Sequence, residues 1–281
     1  MRDQCESDGC GGHDPGPMRR NSITQGDCID LNPRLPHGSI NLVPTSPPYA
    51  MQRSGHYPSI PEAEYPAFTV RWMARLWDKL ADDGSVLLVI DPHVRKGVVS
   101  DYVDRTKAAL RAFGWKEHRT LMWYKPGIIP QGRKDWPRRT YEQILWFSKT
   151  TRPFCAPQAT GRPSKRLAIG RNRWSEWTPG KPGVTAGIAR VPDVFIAHSG
   201  PEDRGWPHPA RFPVQLAEQL IETFCPQGGA ILDCFAGSGT SLYAAKKLGR
   251  AYYGFDLVGE YCEMARRRLA TLDEPGGPIT G

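Results

Sequence analysis

The stretch of the chain with the clearest chemical potential is AILDCFAGSGTSLYAAKKLG, residues 230–249. A predicted apolar strand ends at Asp233, and the loop FAGSG then leads into a helix that begins near Thr240. Glycine permits a tight turn and a close approach of the backbone to a ligand, and a helix N-terminus presents unpaired N–H groups to an anion. The next predicted strand, AYYGFDL, ends at Asp256, whose carboxylate can accept hydrogen bonds from ribose hydroxyls. Strand, glycine loop, helix, strand and terminal acid together predict a site for a nucleoside cofactor.

The cofactor that this pattern predicts is S-adenosyl-L-methionine. A dinucleotide fingerprint needs a third glycine, but Thr240, Ser241 and Leu242 follow Gly239. Loss of that pyrophosphate-binding geometry disfavours NAD, whose diphosphate requires the loop. A purely structural glycine turn is the alternative interpretation. The predicted cofactor-binding residues in this part of the chain are Asp233, Phe235, Ala236, Gly237, Ser238, Gly239, Thr240 and Asp256.

A second unusual stretch is TSPPYA, residues 45–50, which follows the apolar run Ile40–Val43. Proline lacks an amide donor and ends a β ladder wherever it falls, so a turn is the simplest interpretation. The stretch also leaves the hydroxyl of Ser46 and the ring of Tyr49 beside the break. These two side chains are therefore candidates for chemistry, and the stretch by itself does not decide between the two interpretations.

Basic residues concentrate in one part of the chain, which we call the basic region. From Arg119 to Arg190, Lys and Arg number 15 against three acidic residues, a net charge of +12. The remainder of the chain carries a net charge of −4, so this region supplies all of the formal excess of +8. The region also contains Trp123, Trp136, Trp146, Trp174 and Trp177. Because cations interleaved with flat rings suit phosphate contact and base stacking, we favour nucleic-acid binding over a solvated basic face.

An α/β fold must position these candidate residues. Strand patterns occur in SITQGDCIDL, SINLVPTSPPY, GSVLLVIDP, HRTLMWYKP and YEQILWFSK. Apolar residues at three- and four-residue spacing predict helices over residues 65–81, 101–113 and 213–225. Strands that alternate with helices indicate a mostly parallel sheet covered on both faces.

Bulk composition limits the class of protein. The 281 residues suffice for one large α/β domain with an inserted module, or for two small domains. No apolar stretch approaches the roughly 20 residues of a membrane-spanning helix, and the first residues lack the apolar core of a secretory signal. We therefore predict a cytoplasmic, nucleoid-associated protein without a membrane partner. The seven cysteines form no C-x-x-C pair, which argues against a disulfide framework or a zinc ribbon, so no metal is predicted.

With both motifs identified, the chain resembles the amino-group DNA methyltransferases of the permuted β group, particularly those that act on N4 of cytosine. TSPPY resembles their catalytic motif, FAGSG their cofactor motif, and HPARFP, residues 208–213, the segment that precedes the cofactor motif. The similarity extends from Ile23 to Leu269, with the catalytic motif first, then the basic insert, then the cofactor motif. The resemblance implies a circularly permuted, Rossmann-like class I methyltransferase fold with a seven-stranded, mostly parallel sheet.

The resemblance also implies a division of the chain. A catalytic half is expected over residues 21–150, a target recognition insert over 151–206 and a cofactor-binding half over 207–270, flanked by a disordered leader, 1–20, and a flexible tail, 271–281. Asp27 is implied as a weaker cofactor contact near the adenine. Many relatives carry Lys where this chain has Phe212, so a polar contact is not assumed at this position.

In this family resemblance, Ser46, Pro47, Pro48 and Tyr49 form the catalytic site. An exocyclic amino group conjugated to its ring is a poor nucleophile, so the site must aim its lone pair at the methyl donor. The Ser46 hydroxyl and the Pro47 carbonyl, whose direction Pro48 fixes, supply two acceptors for the amine. Tyr49 stacks on the base after its extrusion from duplex DNA. Transfer is direct and in line, and positioning supplies most of the catalysis.

The implied activity is methylation of cytosine N4 at a specific site in duplex DNA, because Ser46 stands where adenine enzymes usually carry Asp. N6-adenine methylation, RNA methylation and a catalytically silent DNA-binding protein of the same fold are the alternatives. A C5-cytosine enzyme is disfavoured because it needs a nucleophilic Cys in a Pro-Cys pair, whereas this chain has Cys225-Pro226 in reverse order. A cognate restriction endonuclease is a possible partner, and the oligomeric state is left open.

Overall fold

The structure is a computed structural model that describes residues 16–51, 59–126, 137, 139–160, 190–206 and 212–274, and the backbone of 163–168 and 183–188. Several predictions from the sequence concern residues that the structure does not describe. Outside the described residues lie 1–15 of the expected leader, 275–281 of the expected tail, His208, Trp136, Trp174 and Trp177.

The described residues contain the following elements. The strands are β1 (Ser22–Gln25), β2 (Ile40–Thr45), β3 (Leu80–Ile90), β4 (Val94–Arg95), β5 (Val98–Val99), β6 (Lys116–Tyr124), β7 (Tyr141–Ser148), β8 (Pro163–Ala168), β9 (Gly183–Ile188), β10 (Val194–Ile196), β11 (Ala230–Asp233) and β12 (Ala251–Asp256). The α-helices are α1 (Cys28–Leu31), α2 (Tyr65–Ala74), α3 (Tyr102–Phe113), α4 (Val214–Phe224), α5 (Thr240–Lys247) and α6 (Gly259–Ala270). Among them, no helix combines the length and apolar character needed to cross a bilayer.

Within the described part of the chain, eight strands form one sheet in the order β1-β12-β11-β2-β3-β7-β6-β10. Every neighbouring pair is parallel except the two pairs that involve β7. The pairs β4-β5 and β8-β9 form separate antiparallel ribbons. The predicted α/β class with a mostly parallel sheet is confirmed.

The sheet has one strand more than the seven that the resemblance implies. The additional strand, β10, pairs in parallel with β6 and comes from the segment expected to be the recognition insert. Its central residue, Phe195, is 3% exposed, and Trp123 Nε1 donates to the Ala197 carbonyl just beyond it at 3.0 Å. A strand of three residues is too short to show an alternating pattern, so only the pairing reveals it.

Helices cover both faces of the sheet, and the central strands contribute to two cores. Leu42 on β2 packs in the core with α4, α5 and α6, whereas Val43 packs in the core with α1, α2 and α3. On β11, Ile231 packs in the same core as Leu42, and Leu232 packs in the same core as Val43. Since successive side chains of a strand point to opposite faces, a strand buried on both sides has a continuous apolar run.

The helix predicted over residues 65–81 is shorter in the structure. It ends at Ala74, and the N–H of Leu76 donates to the Met73 carbonyl at 3.0 Å in a following turn. The chain then enters β3 at Leu80, which pairs with Ile40. Leu76 and Leu80 are both fully buried. Apolar residues at helical spacing therefore occur in the sequence beyond the end of the helix, because the turn and the first residue of β3 contribute to the same core as α2.

The stretch SITQGDCIDL forms a strand only in its first four residues. Asp27 then accepts the N–H of Ile29 at 2.8 Å and serves as the N-cap of α1. Aspartate is favoured at this position because its carboxylate satisfies an otherwise unpaired N–H of the first turn. Asp27 therefore lies just beyond the carboxyl end of β1.

Candidate active site

The two predicted motifs meet at one edge of the sheet. The adjacent parallel strands β12, β11 and β2 end at Asp256, Asp233 and Thr45. From β11 the chain continues through α5 to β12 on one side, whereas β2 lies on the other side. Open α/β sheets bind ligands at such a change of direction, outside the carboxyl ends of the strands. The fold therefore places the glycine loop beside TSPPYA.

Asp233 connects the two motifs through its carboxylate. Thr45 Oγ1 donates to Asp233 Oδ1 at 2.6 Å, and the N–H of Phe235 donates to the same oxygen at 3.1 Å. Ser241, in the first turn of α5, donates to Oδ2. Burial raises the pKa of Asp233 to about 6, although these hydrogen bonds act in the opposite direction. Asp233 thus holds Thr45, and with it the following Ser46, against the glycine loop.

The shape of the glycine loop depends on two left-handed residues. Gly237 has φ 49° and Gly239 has φ 74°. A Cβ on Gly239 would lie 2.7 Å from the Cβ of Ala265 in α6, so both conformation and space require glycine. Asp256 holds the loop from β12, because its Oδ2 accepts the N–H of Gly237 at 2.8 Å and its Oδ1 accepts the N–H of Val258 at 2.9 Å. The loop and the end of β12 are therefore one connected unit.

This unit fits a nucleoside cofactor. A carboxylate oxygen can accept more than one hydrogen bond, so the Asp256 carboxylate suits ribose hydroxyls beside the backbone donors just described. The α5 helix begins at Thr240, directly after the loop, and its first N–H groups point toward the same edge. Phe235 is half-buried, with its ring edge-on to Trp72 at a centroid distance of 5.4 Å, and offers an apolar surface to a flat ring. Asp27 lies at the same edge, two strands away from β11.

Three other residues predicted as cofactor contacts have structural partners. Ala236 donates its N–H to a carbonyl of β12 at 2.8 Å. The hydroxyls of Ser238 and Thr240 accept from Arg268 Nη1 at 3.3 and 2.9 Å. Arg268 is a fully buried residue of α6, and its Nη2 lies 3.2 Å from Asp203 Oδ1. The sequence did not indicate this arginine, because it belongs to the run Arg266–Arg268, which reads as a solvated helix face.

The stretch TSPPYA continues β2 at the active edge. Pro47 is buried, whereas Ser46, Pro48 and Tyr49 are half-buried. Tyr49 Oη donates to Glu142 Oε2 at 2.8 Å, and the hydroxyls of Ser46 and Tyr49 are hydrogen-bonded to each other. Burial, reinforced by the charge of Glu142, raises the pKa of Tyr49 well above its ordinary value. The predicted catalytic residues thus lie together directly after β2.

Glu142 and Lys125 complete this cluster, and neither was predicted as a site residue. Glu142 is the second residue of β7, Lys125 directly follows β6, and their side chains form an ion pair. The Lys125 ammonium also lies 4.0 Å from the centroid of the Trp123 ring, where a cation is favourable. In the sequence, Glu142 was only one of the three acids of the basic region. The antiparallel pairing of β7 with β3 and β6 brings it to Tyr49.

The segment HPARFP is described only from Phe212 onward. Phe212 is 6% exposed and packs in the core with α4, and Pro213 precedes the first residue of that helix. The Phe212 side chain is therefore part of the apolar core.

The fold is that of a class I methyltransferase, and TSPPY precedes FAGSG in the chain. A model of the DNA methylase family N6_N4_Mtase matches residues 40–267. The chain therefore belongs to the DNA methylase family. The predicted resemblance to the amino-group methyltransferases is confirmed, and so is S-adenosylmethionine as the cofactor.

Individual proteins are similar to nearly the whole chain. Type II methyltransferase M.XycI of Xanthomonas campestris pv. cyanopsidis is 28% identical over 91% of this chain and 90% of its own length. Type II methyltransferase M.PvuII of Proteus hauseri is 26% identical over 85% of this chain and 81% of its own length. The solved PvuII DNA methyltransferase (cytosine-N4-specific) has a TM-score of 0.70 at 24% identity, covering 90% of this chain and 87% of that one. The M1.HpyAVI complex with S-adenosylmethionine has a TM-score of 0.60 at 18% identity, covering 88% and 98%.

Proposed function

We propose that this protein methylates the exocyclic N4 amino group of cytosine at a specific site in duplex DNA. The observation that carries the proposal is the position of Ser46, a hydroxyl held at the end of β2 beside the glycine loop through the Thr45–Asp233 hydrogen bond. A relative with a similar fold is named as cytosine-N4-specific, and the curated relatives are named as Type II methyltransferases. The first similarity favours N4 of cytosine over N6 of adenine.

S-Adenosylmethionine, when bound, supplies the methyl group: the N–C bond forms as the S–C bond breaks and the sulfur keeps the electron pair. The task of the chain is to orient the amino group. Ser46 Oγ and the Pro47 carbonyl oxygen are the two acceptors, and Pro48 restricts the direction of that carbonyl. The Tyr49 hydroxyl donates its hydrogen bond to Glu142, so Ser46 is the donor in the Ser46–Tyr49 hydrogen bond. The lone pairs of Ser46 Oγ therefore remain for the amine.

Tyr49 supplies the surface on which the target base stacks. Its ring packs partly against the core that includes α2 and α3, and its hydroxyl is anchored to Glu142, so the ring orientation is set from both ends. A duplex must release its target base before the amino group can reach Ser46, because the group is otherwise inside the stack. Stacking on Tyr49 offsets part of the cost of that release.

Site recognition is proposed for residues 151–206, which follow β7 and of which residues 151–190 belong to the basic region. This segment contains the β8-β9 ribbon and ends after β10, which attaches it to the sheet edge. Its cations suit the phosphates of duplex DNA. A restriction endonuclease that cuts the same site is the proposed biological partner, on the basis of the Type II relatives.

The proposal is tested by mass spectrometry of nucleosides from unmethylated plasmid DNA after incubation with the protein and S-adenosylmethionine. N4-methylcytosine is the expected product. The Ser46→Ala variant should bind the cofactor as the wild type does and lose methyl transfer, because its methyl group cannot accept from the amine. Ser59→Ala, an exposed serine outside the cluster, is the matched control and should leave the product unchanged.

Each other result identifies one of the alternatives. N6-methyladenine would keep the class and show that Ser46 does not decide the base. Modification of structured RNA but not duplex DNA, in parallel assays with labelled cofactor, would reassign the substrate. Duplex affinity without any modified base would indicate a catalytically silent DNA-binding protein.

A further inference from the structure

The proposed reaction requires a proton acceptor that the TSPPYA stretch does not contain. An amino nitrogen that gains a methyl group must give up one proton to become a neutral secondary amine. Ser46 is too weak a base to keep that proton at neutral pH. The proton must therefore pass through or around Ser46 to a stronger base. The described structure contains such a base, which is two hydrogen bonds away from Ser46.

That base is the carboxylate of Glu142, reached through an unbroken series of hydroxyl groups. Ser46 donates to Tyr49 Oη, and Tyr49 Oη donates to Glu142 Oε2 at 2.8 Å. Both hydrogen bonds run in the same direction, from the amine-binding position toward the acid. The Glu142 side chain is 16% exposed, so the far end of the series is largely shielded from water.

From this geometry we infer that Glu142 is the terminal proton acceptor of methyl transfer, reached by a relay through the hydroxyls of Ser46 and Tyr49. This inference rests on the proposed function. As the amino nitrogen loses its proton to Ser46 Oγ, the Ser46 proton moves to Tyr49 Oη and the Tyr49 proton moves to Glu142 Oε2. Three O–H bonds form and one N–H and two O–H bonds break, so one proton moves from nitrogen to carboxylate and no oxidant or reductant is involved.

The order of these transfers follows from the surroundings of Tyr49. Its raised pKa makes a free tyrosinate unfavourable, so Tyr49 accepts one proton as it donates the other. The relay therefore needs both hydroxyls at once. Removing either should have the same consequence for the rate.

The elements packed against β7 bring further charged and titratable groups near Glu142. Lys125 at the end of β6 forms the ion pair with Oε1, which leaves Oε2 for Tyr49. Tyr102 of α3 lies close enough for the charge of Glu142 to raise its pKa. Asp91 follows β3 and is paired with Arg139, just before β7. Glu142 is thus paired with Lys125, and the charge of Asp91 is compensated by Arg139.

The test compares Tyr49→Phe and Glu142→Gln in single-turnover methylation of a duplex that carries the mapped site. Phenylalanine keeps the ring and glutamine keeps the shape, so cofactor and DNA affinities should change by less than about threefold. The methyl-transfer rate should fall about 10- to 100-fold in each, within or below the usual range of a lost acid-base group. The double variant should be no slower than the slower single one, because both changes break the same relay.

A second readout separates proton transfer from positioning. At constant pH, added formate or imidazole should raise the rate of Glu142→Ala, whose shortened side chain leaves room for a small base, in proportion to its concentration and leave the wild type unchanged. Tyr141→Phe, which removes the hydroxyl of an exposed neighbour on β7, is the matched control and should behave as the wild type.

Three outcomes would overturn the inference in distinguishable ways. Rates within about threefold of the wild type in both variants would mean that the proton leaves by another route. Slow variants with weaker DNA binding and no response to added base would mean that Glu142 only orients Tyr49. A wild-type protein that modifies neither DNA nor RNA would remove the proposed function itself, and the relay with it.

Discussion

Asp233 is a buried carboxyl group, and its burial disfavours the charged form that its hydrogen bonds favour. The residue is 3% exposed, and its desolvation raises the pKa more than its three hydrogen bonds lower it. The neighbouring carboxylate of Asp256 adds to the rise. The connection between Thr45 and the glycine loop is therefore made by a group whose ionisation destabilises the folded chain.

The pH dependence of stability should show this cost. The pKa of Asp233 is raised in the folded state from 3.8 to about 6, so its contribution to the free energy of unfolding is fully present below about pH 4 and is lost as pH rises to about 6. The loss amounts to at most about 3 kcal/mol. Asp233→Asn lacks this titration. The difference in free energy of unfolding between the variant and the wild type should therefore shift in favour of the variant between about pH 4 and pH 6, and stay constant above pH 6. Urea unfolding at four pH values between 4 and 7 measures the difference. Parallel curves over the whole range would contradict the raised pKa.

The glycine loop depends on the contact between two elements as well as on its own turn. Gly239 ends the loop as the N-cap residue of α5, and it lies against Ala265 of α6. Arg268, three residues further along α6, binds the hydroxyls on either side of Gly239. The position of α6 therefore determines the shape of the loop that α5 presents at the active edge.

Replacing Gly239 with alanine should damage this contact, and Gly249→Ala is the matched control. Both glycines have positive φ, 74° and 67°, but a Cβ on Gly249 meets nothing within 4 Å. Each variant should lose about 1–2 kcal/mol through backbone conformation. Gly239→Ala should lose about 1–3 kcal/mol more through overpacking, and only this variant should bind S-adenosylmethionine more weakly. Urea unfolding and titration calorimetry measure the two effects, and equal behaviour of the two variants would contradict the packing explanation.

The whole molecule separates its charges along the sheet. The basic region includes β7 and most of β6, which lie toward one end of the strand order, whereas β1 and β12 form the other end. The catalytic stretch follows β2, in the middle of the sheet. A duplex attracted to the basic end would therefore lie beside TSPPYA.

The salt dependence of duplex affinity should locate this contact. The logarithm of the association constant should fall linearly with the logarithm of salt concentration, with a slope of about −0.9 for each phosphate neutralised. Arg152 and Arg190 are exposed residues of the basic region, and the double Arg152→Ala/Arg190→Ala variant should lower the slope by up to about 1.8. Arg267→Ala, an exposed arginine of α6, should keep the wild-type slope. An unchanged slope in the double variant would exclude these two side chains from the phosphate contacts.

Local chemistry in the sequence determined much of this protein. Apolar runs revealed the central strands because their side chains are buried on both faces, and the loop FAGSG with Asp256 indicated the cofactor site because only glycine permits the turn. Proline in TSPPYA marked the end of β2 for a similar local reason. These features depend on residues close together in the chain, so their order and spacing carried the information.

Only the tertiary structure decided which distant residues complete the site. Glu142 reaches Tyr49 across 93 positions, Asp203 reaches Arg268 across 65, and Thr45 reaches Asp233 across 188. In the sequence, Glu142 and Arg268 were ordinary charges of a basic region and of a helix. Their burial and their partners arise from strand pairing and helix packing, which join residues without regard to their separation along the chain. Periodicity and local motifs contain no information about such contacts. The proposed proton acceptor, Glu142, and the residue that supports the glycine loop, Arg268, could therefore be identified only from the fold.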